Sequence, residues 1–346
     1  MNILFFAHLF NNHSGINKSV PGTITAQKAF DNCIKIEPSK TNFASILKLF
    51  NNADIVVFWG IYFPLHLLYA KILIARKIPY IIRPASSLTY QAQHNHAFLK
   101  KKVANYLFFN RFIKGASAIH YLTEDEQRDS GPKWNNHSFV LPNGINIPES
   151  RKKEFSQIGI KAVFIGRIDI YHKGIDLLLG AIQRIQHTLR ESSFSLKIFG
   201  PIDKDAKKVS RMIAKYGIND IVSLCGEVSG AKKESAFLDS DLFILTSRFE
   251  GHPIALLEAL SYGLPVAITP GTNMKQKVQQ YDAGWCCDET TIDSICNMLL
   301  TIIEERNSFA NKGKQSTELA KTYNYFMIAE QFHEIALQIK SIDKKA

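Results

Sequence analysis

The stretch SRFEGHPIALLEALSYGLPVAITP, residues 247–270, says more about the fold than any other part of this 346-residue chain. Residues 255–260 are good helix formers, and Gly263 is placed to end the helix. Pro253 suits the first helical position, because the N–H that proline lacks has no partner within a helix. With the apolar run DLFILTS before it, the stretch predicts a strand, a loop and a helix that begins at Pro253.

Two glutamates, Glu250 and Glu258, lie on either side of this predicted helix start. The exposed amides of Gly251, His252 and Ile254 would lie at the positive end of the helix dipole, where an anion binds well. A helix rises about 1.5 Å per residue, so Glu258 lies roughly 7.5 Å beyond the helix start. A single glutamate here is more often a cap. The spaced pair instead suits a ligand with a central phosphate and a hydroxylated ring at each end, which is the shape of a nucleotide sugar.

The composition, with 46% hydrophobic and 21% charged residues, is that of a globular protein long enough for two domains. The net charge of +11 is uneven. Residues 1–150 carry 16 lysines and arginines against 8 acidic residues, whereas residues 151–346 carry 26 against 23. A basic first half indicates an anionic partner, which could be a membrane surface, a nucleic acid or a phosphorylated substrate.

Cysteine usage and the N-terminus both indicate a reducing compartment. The five cysteines form no C-x-x-C pair and are odd in number, which predicts neither a disulfide framework nor a metal site. MNILFFAHLFNN, residues 1–12, lacks the basic region and the cleavage site of a signal peptide and is typical of a first strand. We therefore expect a cytoplasmic protein.

Residues 55–75 are apolar enough to resemble a membrane span. A glycine, a proline, a histidine and a lysine interrupt the run. A buried strand at Ile55–Trp59, a turn and an amphipathic helix from about Leu65 therefore fit it better.

Short β-branched or aromatic runs recur along the chain, each followed by a helical pattern, which predicts βαβ units around parallel sheets. The runs that predict strands lie at residues 2–9, 54–60, 79–85, 116–123, 138–144, 161–167, 195–200, 221–227, 241–247 and 264–269. This alternation of strand-like and helical patterns begins again at IGIKAVFIGR, residues 158–167, after the polar linker IPESRKKEFSQ, residues 147–157. We predict an α/β protein with two Rossmann-like, doubly wound domains, at 1–150 and 151–322, that face each other across a cleft. The terminal helix at 323–346 is expected to pack back on the first domain.

Two cations follow the strand that opens the second domain. Arg167 lies at its end, and Lys173 opens a helix whose apolar face falls within residues 175–185. These two side chains can converge on one phosphate group, the arginine as a planar fork and the lysine as a point charge. Either cation alone would be an ordinary surface charge, but beside the glutamate pair they favour an anion-binding site.

The Arg167–Lys173 pair followed by FEGHPIALLEALSYGLPV, residues 249–266, resembles the donor half of glycosyltransferase family 4, which comprises retaining enzymes of the GT-B fold. VLPNGIN, residues 140–146, is similar to the family's interdomain stretch. The resemblance covers nearly all of residues 140–275. The loops beside the nucleotide base are matched by FGP at 199–201 and CGEV at 225–228.

Before residue 140 the resemblance is weaker. HSGINKSV, residues 13–20, is similar to the family's glycine loop, with Ser14 and Gly15 where two glycines are usual. IIRPASSLTY has Ala85 and Ser86 where the family often has a histidine or arginine and a glycine.

The resemblance implies a role for each matching residue. Arg167 and Lys173 would neutralise the donor diphosphate in place of a metal, with no cofactor, and would stabilise the departing nucleoside diphosphate. Glu250 would hold hydroxyls of the transferred sugar, and Glu258 those of the ribose. The other implied donor contacts are Gly200 and Val228 beside the base and Gly15 near the β-phosphate.

We do not assign Glu250 as a covalent nucleophile, because no second carboxylate is committed to the paired arrangement of retaining glycosidases. Same-face attack by the acceptor hydroxyl, with the leaving phosphate oxygen taking its proton, is the expected mechanism. His13 and His120 are candidates on the acceptor side, although a packed structural histidine suits the strand pattern around His120 better. Thr123 and Glu126 form a capping box.

The segment FLKKKVANYLFFNRFIKGA, residues 98–116, mixes five cations with large apolar residues. It fits a helix packed on the core with a solvated face. It also fits contact with an anionic membrane that holds a lipid-linked acceptor.

We expect a retaining, nucleotide-sugar-dependent glycosyltransferase that acts on a glycan or lipid-linked glycan in bacterial surface polysaccharide or lipopolysaccharide synthesis. A sugar-nucleotide epimerase of the same fold is an alternative, but the Arg–Lys and Glu–Glu pairs match transferases. A basic nucleic-acid-binding protein is another. No zinc-ligand spacing, RNA-recognition motif or arginine-rich tract supports it, so no nucleic-acid partner is expected.

Overall fold

The structure is a computed structural model that describes residues 1–7, 15–94 and 98–343. The chain divides into two compact units. The first comprises Met1–Gly144 with Tyr325–Ala346, and the second comprises Ile145–Asn324.

The first unit contains a six-stranded parallel sheet in the order β2-β1-β3-β4-β5-β6. Alternate residues of its first strand enter different cores: Leu4 and Phe6 belong to one apolar cluster, whereas Ile3 and Phe5 belong to another. Both faces of the sheet are therefore covered, as parallel sheets require. The strands are β1 (Asn2–Ala7), β2 (Asn32–Ile36), β3 (Ile55–Trp59), β4 (Tyr80–Arg83), β5 (Ala118–Tyr121) and β6 (Ser138–Val140).

Helices pack on both faces of this sheet, and the last helix of the chain is one of them. Side-chain contacts join that last helix to the residues just before β2 and β3, from His333 to Asp31 at 2.9 Å and from Lys340 to Asp54 at 2.7 Å. The helices are α1 (Gly15–Gln27), α2 (Phe43–Phe50), α3 (Pro64–Ala75), α4 (Tyr90–His94), α5 (Phe98–Ala104), a π-helical turn (Asn105–Phe109), α6 (Asn110–Lys114), α7 (Glu124–Ser130) and the last helix, α16 (Tyr325–Asp343).

The second unit has its own six-stranded parallel sheet, in the order β12-β11-β10-β7-β8-β9. Its strands are β7 (Ile160–Ile165), β8 (Phe194–Phe199), β9 (Val222–Gly226), β10 (Leu242–Leu245), β11 (Val266–Ile268) and β12 (Gly284–Cys286). Its helices are α8 (Ile175–Arg184), α9 (Gln186–Glu191), α10 (Lys204–Tyr216), α11 (Gly230–Leu238), α12 (Ile254–Ser261), α13 (Lys275–Tyr281), α14 (Ile292–Glu304) and α15 (Phe309–Lys321), with short 3₁₀ turns at Pro270–Thr272 and Arg306–Ser308.

The apolar run at residues 55–75 forms strand β3, with the predicted bounds, and helix α3, which begins one residue before the predicted start. Among the described residues, every helix is too short or too polar to cross a bilayer. The prediction of two doubly wound α/β sheets is confirmed, although β2 and β12 were not expected.

Candidate functional site

The second sheet changes winding direction at β7, because β8 lies on one side of it and β10 on the other. In such sheets ligands bind outside the carboxyl ends of the strands at this switch point. The residues predicted to bind the donor follow four neighbouring carboxyl ends: Arg167 follows β7, Gly200 follows β8, Val228 follows β9 and Glu250 follows β10.

The turn between β7 and α8 places two cations at this edge. The N-cap of α8 is Gly174, with φ of 62° and ψ of 28°, so Lys173 lies just before the helix rather than opening it as predicted. The Arg167 guanidinium is half exposed and lies 3.1 Å from the Nδ1 atom of His172 and 3.6 Å from a carboxylate oxygen of Asp169. Since arginine only donates, the His172 Nδ1 atom is the acceptor in this contact.

The carboxylate of Glu250 is buried among groups that stabilise its negative charge. It forms an ion pair with Lys173 and accepts a hydrogen bond of 2.6 Å from the Ser247 hydroxyl. The His172 Nε2 atom lies 3.9 Å away. Burial alone would raise the pKa of Glu250, but the charge of Lys173 and the hydrogen bonds from Lys173 and Ser247 outweigh burial, so the pKa is lowered. Glu250 is therefore an ionised acceptor at neutral pH.

Further contacts hold the backbone around Glu250. The Asn273 side chain donates to the Glu250 carbonyl at 2.6 Å. Arg248 forms a bidentate ion pair with Asp176 of α8, with both hydrogen bonds at 2.7 Å, and lies over the Tyr171 ring. The Arg248 contacts fix the loop after β10 against the loop after β7, which are the two loops that carry the site, and Asn273 fixes it against the turn after β11.

Helix α12 begins at Ile254, and Pro253 is its N-cap with an extended backbone. The prediction that Pro253 is the first helical residue was wrong by one position. Glu258 lies within the helix, as predicted, and its carboxylate pairs with Lys233 of α11. The ring of His252 is buried against Tyr323 at 5.1 Å between ring centroids, a packing contact that the sequence did not indicate.

The loop positions predicted beside the base differ in their surroundings. Gly200 leaves no room for a side chain, since an added Cβ would lie 2.2 Å from the Gly166 carbonyl oxygen. Its N–H donates to the Gly226 carbonyl at 2.9 Å. Val228 is half buried against the core of the second unit. Both positions lie on the edge that carries Arg167, which is what a shared ligand would require.

Of the candidates in the first unit, His13 lies outside the described residues, and Gly15 is the first residue of α1. His120 is buried in β5, donates a hydrogen bond of 2.7 Å from Nε2 to the Leu141 carbonyl, and stacks on Phe139. Burial and the charge of Arg83 hold the pKa of His120 far below its usual value. His120 is thus packed within the first unit, and its role on the acceptor side stays a prediction.

Thr123 caps α7 as predicted, accepting from the Glu126 N–H at 3.1 Å. The Glu126 carboxylate does not complete the capping box, and binds instead the backbone N–H groups of Leu122 at 2.7 Å and Ser86 at 2.5 Å. Ser86 and its neighbour Ala85 both have positive φ. Glu126 therefore stabilises the strained turn at the position where this chain departs from the family pattern.

Sequence reasoning missed several residues that contact the predicted site residues at this edge of the second sheet, which are His172, Ser247, Asn273, Lys233 and Arg248. A histidine next to Lys173 was visible as a signal, but its burial and its contact with Arg167 were not. Among the described residues, no three His, Cys, Asp or Glu side chains come close enough together to hold a metal ion.

Comparison with known proteins adds relatives of similar sequence. An uncharacterised glycosyltransferase of Haemophilus influenzae is 23% identical over 62% of this chain and 59% of its own length. The putative colanic acid biosynthesis glycosyltransferase WcaL of Escherichia coli is 25% identical over 37% of this chain and 32% of its own length. The chain thus spans less than two thirds of the length of either relative.

Solved structures agree on the fold. Alr3699/HepE of Anabaena, in complex with UDP-glucose, matches with a TM-score of 0.74 at 15% identity, over 98% of this chain and all of that one. The match supports a two-domain α/β fold of the GT-B type. Residues 146–319, just over half of the chain and most of the second unit, match the family described as glycosyl transferases group 1. The chain therefore belongs to the glycosyl transferases group 1 family.

Proposed function

We propose that this protein is a retaining glycosyltransferase that moves a sugar from a nucleotide diphosphate to a hydroxyl of a glycan or a lipid-linked glycan. The observation that carries the proposal is the meeting of Arg167, Lys173 and Glu250 at the switch point of the second sheet. Two cations and one ionised carboxylate there match a ligand with a diphosphate and a hydroxylated sugar. UDP-glucose is the ligand of Alr3699/HepE, a structure of the same fold.

The surroundings of Lys173 and Arg167 suit each of them to bind the diphosphate. The Lys173 ammonium has three N–H donors, so it can contact a phosphate oxygen while one N–H remains on Glu250. The half-exposed Arg167 guanidinium can bind a second oxygen. Positive charge so placed stabilises the negative charge that grows on the leaving diphosphate. We propose that these two side chains suffice without a metal ion.

Glu250 is proposed to accept hydrogen bonds from the transferred sugar, and Glu258 from the ribose. The acceptor hydroxyl would attack on the face that the diphosphate leaves. Attack on that face retains the configuration at the anomeric carbon, and the proton of the acceptor hydroxyl would pass to the departing phosphate oxygen. Glu250 is not proposed as a nucleophile, because its carboxylate is already engaged by Lys173 and Ser247.

The pathway proposed is the synthesis of a bacterial surface polysaccharide or lipopolysaccharide. WcaL, one of the similar proteins, is described as a putative colanic acid biosynthesis enzyme. We propose a cytoplasmic location, where nucleotide sugars are made available.

A panel of UDP-, GDP- and ADP-sugars, each with and without EDTA, tests the proposal by thermal shift. A true donor at about 100 times its dissociation constant stabilises the fold by about 2.7 kcal/mol. We expect the sugars of one of these nucleotides to stabilise the protein both with and without EDTA. NMR of the product then reads the anomeric configuration, and inversion would contradict the retaining mechanism. No shift with any nucleotide sugar would contradict the proposed activity.

His172 gives the proposed reaction an expected pH dependence. Burial lowers the pKa of His172 below its ordinary value of 6.5, against the opposing charge of Glu250, and Lys173 and Arg167 lower it further. The neutral ring accepts from Arg167, and protonation would remove that acceptor. We expect kcat/KM to fall as pH drops through this lowered pKa. The free energy of unfolding also falls as pH drops, because the unfolded chain binds the proton more readily than the buried ring does.

The variant His172→Gln isolates this effect, since the glutamine carbonyl can accept from Arg167 without titrating. We expect its kcat/KM to lack the acid limb while activity at neutral pH stays within about tenfold, on the scale of one neutral hydrogen bond. Full pH profiles of both proteins would show it. An acid limb at the same pH in the variant would assign the titration to another group.

A further inference from the structure

The helical segment from Phe98 to Lys114 exposes most of its large apolar side chains. Tyr106 is 82% exposed and Leu99 is 72% exposed, and Val103, Leu107 and Phe108 are also exposed. Single exposed apolar residues are ordinary on a protein surface, but a contiguous group marks a site of interaction. We call Leu99, Val103, Tyr106, Leu107 and Phe108 the apolar face.

The segment is firmly folded on its other side. Asn105 donates to the Gln93 side chain at 2.8 Å, and the Phe112 ring stacks on Tyr80. Leu99 and Val103 are one turn apart on α5, and Tyr106, Leu107 and Phe108 follow them in the π-helical turn. The apolar face is therefore a fixed surface of a packed element, rather than an unfolded end.

Every formal charge in the stretch of sequence around the apolar face is positive. Residues 55–123 contain nine lysines and arginines and no aspartate or glutamate. Within the segment, Lys100, Lys102, Arg111 and Lys114 are exposed. A stretch of this length without carboxylates does not repel an anionic surface, and its exposed lysines and arginines attract one.

Aromatic rings extend this surface on the preceding helix. The rings of Tyr90 and His94 stack with centroids 3.9 Å apart, and the ring of Phe98 stacks on His94 at 5.0 Å. All three residues are exposed. Aromatic rings beside lysines are typical of proteins that lie at a membrane–water boundary.

We propose that this surface docks on a bilayer that carries anionic lipid headgroups, with the segment in the plane of the membrane. The apolar face enters the boundary of the acyl chains, and the lysines contact lipid phosphates. The occupant is a bilayer because large apolar side chains and unopposed cations share one surface. This docking is separate from the donor site of the second unit and does not depend on the sugar transferred.

Sedimentation of the full-length chain with vesicles tests the proposal. Vesicles of phosphatidylcholine alone are compared with vesicles of phosphatidylcholine and phosphatidylglycerol, at low and high salt. We expect binding to the anionic vesicles, weakened by salt. Two double variants, Tyr106→Ser with Leu107→Ser and Lys100→Gln with Lys102→Gln, should each lower the partition coefficient at least tenfold.

Matched controls come from the second unit. Ile158→Ser with Ile202→Ser removes two exposed apolar residues, and Lys207→Gln with Lys232→Gln removes two exposed charges. Neither should change vesicle binding. Equal binding of the wild-type protein to neutral and anionic vesicles would overturn the proposal, as would full binding by both surface variants. Self-association that depends on Tyr106 and Leu107, without vesicle binding, would also overturn it in favour of a second copy of this chain.

The thermal midpoint and the donor-induced shift of each surface variant separate this proposal from the proposed activity. All the substituted side chains are exposed, so both values should match those of the wild-type protein. A variant that loses vesicle binding while keeping the donor shift supports docking alone.

Discussion

Replacing Arg167 and Lys173 together by alanine is expected to lower kcat/KM by about 10³-fold or more. Removing a single charge-stabilising donor in an active site commonly costs about 10²–10³-fold, and this double variant removes the two cations nearest the proposed diphosphate. The loss should appear mainly in kcat, because leaving-group charge develops in the transition state. Initial rates with the natural donor, with and without EDTA, measure it. Undiminished turnover would contradict the proposed mechanism.

Loss of Lys173 also leaves Glu250 buried without its ion-pair partner, and breaking a buried pair costs about 3–5 kcal/mol of stability. Lys152→Ala is the matched control, since Lys152 forms a similarly buried pair with Asp241, at 3.3 Å. That variant should lose stability but keep kcat/KM at a temperature where it stays folded. The single variant Arg167→Ala, which removes a half-exposed side chain, should lose activity with little change in stability.

The sequence pattern was sufficient for the central strands and less so for the sheet edges. Strand β3 is apolar throughout and buried on both faces, so its bounds could be read directly. The edge strand β2, with sequence NCIKI, mixes exposed, half-buried and buried residues and has a neighbour on one side only. The other missed edge strand, β12, has three residues. Short or mixed runs of this kind do not stand out from loops.

The site could be predicted in its parts but not in its contacts. Lys173 and Glu250 are separated by 77 positions, and only the order of strands brings them together. Spacing along the chain indicated an anion site at each of the two loops, and the family resemblance joined them. Burial of His172 and the Ser247 hydrogen bond depend on how the loops after β7 and β10 pack, which no local pattern encodes.

Gly174 lies where the loops after β7 and β10 pack together, and it leaves no space for a side chain. Its φ of +62° lies in the left-handed region, and an added Cβ would lie 2.0 Å from the Thr246 carbonyl oxygen. The Thr246 hydroxyl donates toward the carbonyls of Lys173 and Gly174, at 3.2 and 3.1 Å, so a shift here moves β10 against the start of α8. Gly174→Ala would thus displace Lys173 from Glu250.

Gly174→Ala is expected to lower the free energy of unfolding of the second unit by about 2–4 kcal/mol. Left-handed strain accounts for about 1–2 kcal/mol, and overpacking against buried backbone for most of the rest. The matched control is Gly217→Ala, which has nearly the same φ, +64°, and nothing within 4 Å of the added Cβ. It should lose only the strain, about 1–2 kcal/mol. Denaturant unfolding of both variants measures the difference.

Only Gly174→Ala should also lower kcat/KM, by at least about tenfold, since small displacements of catalytic groups lower the rate steeply. Equal losses of stability and activity in the two variants would show that the contact with Thr246 does not position the site.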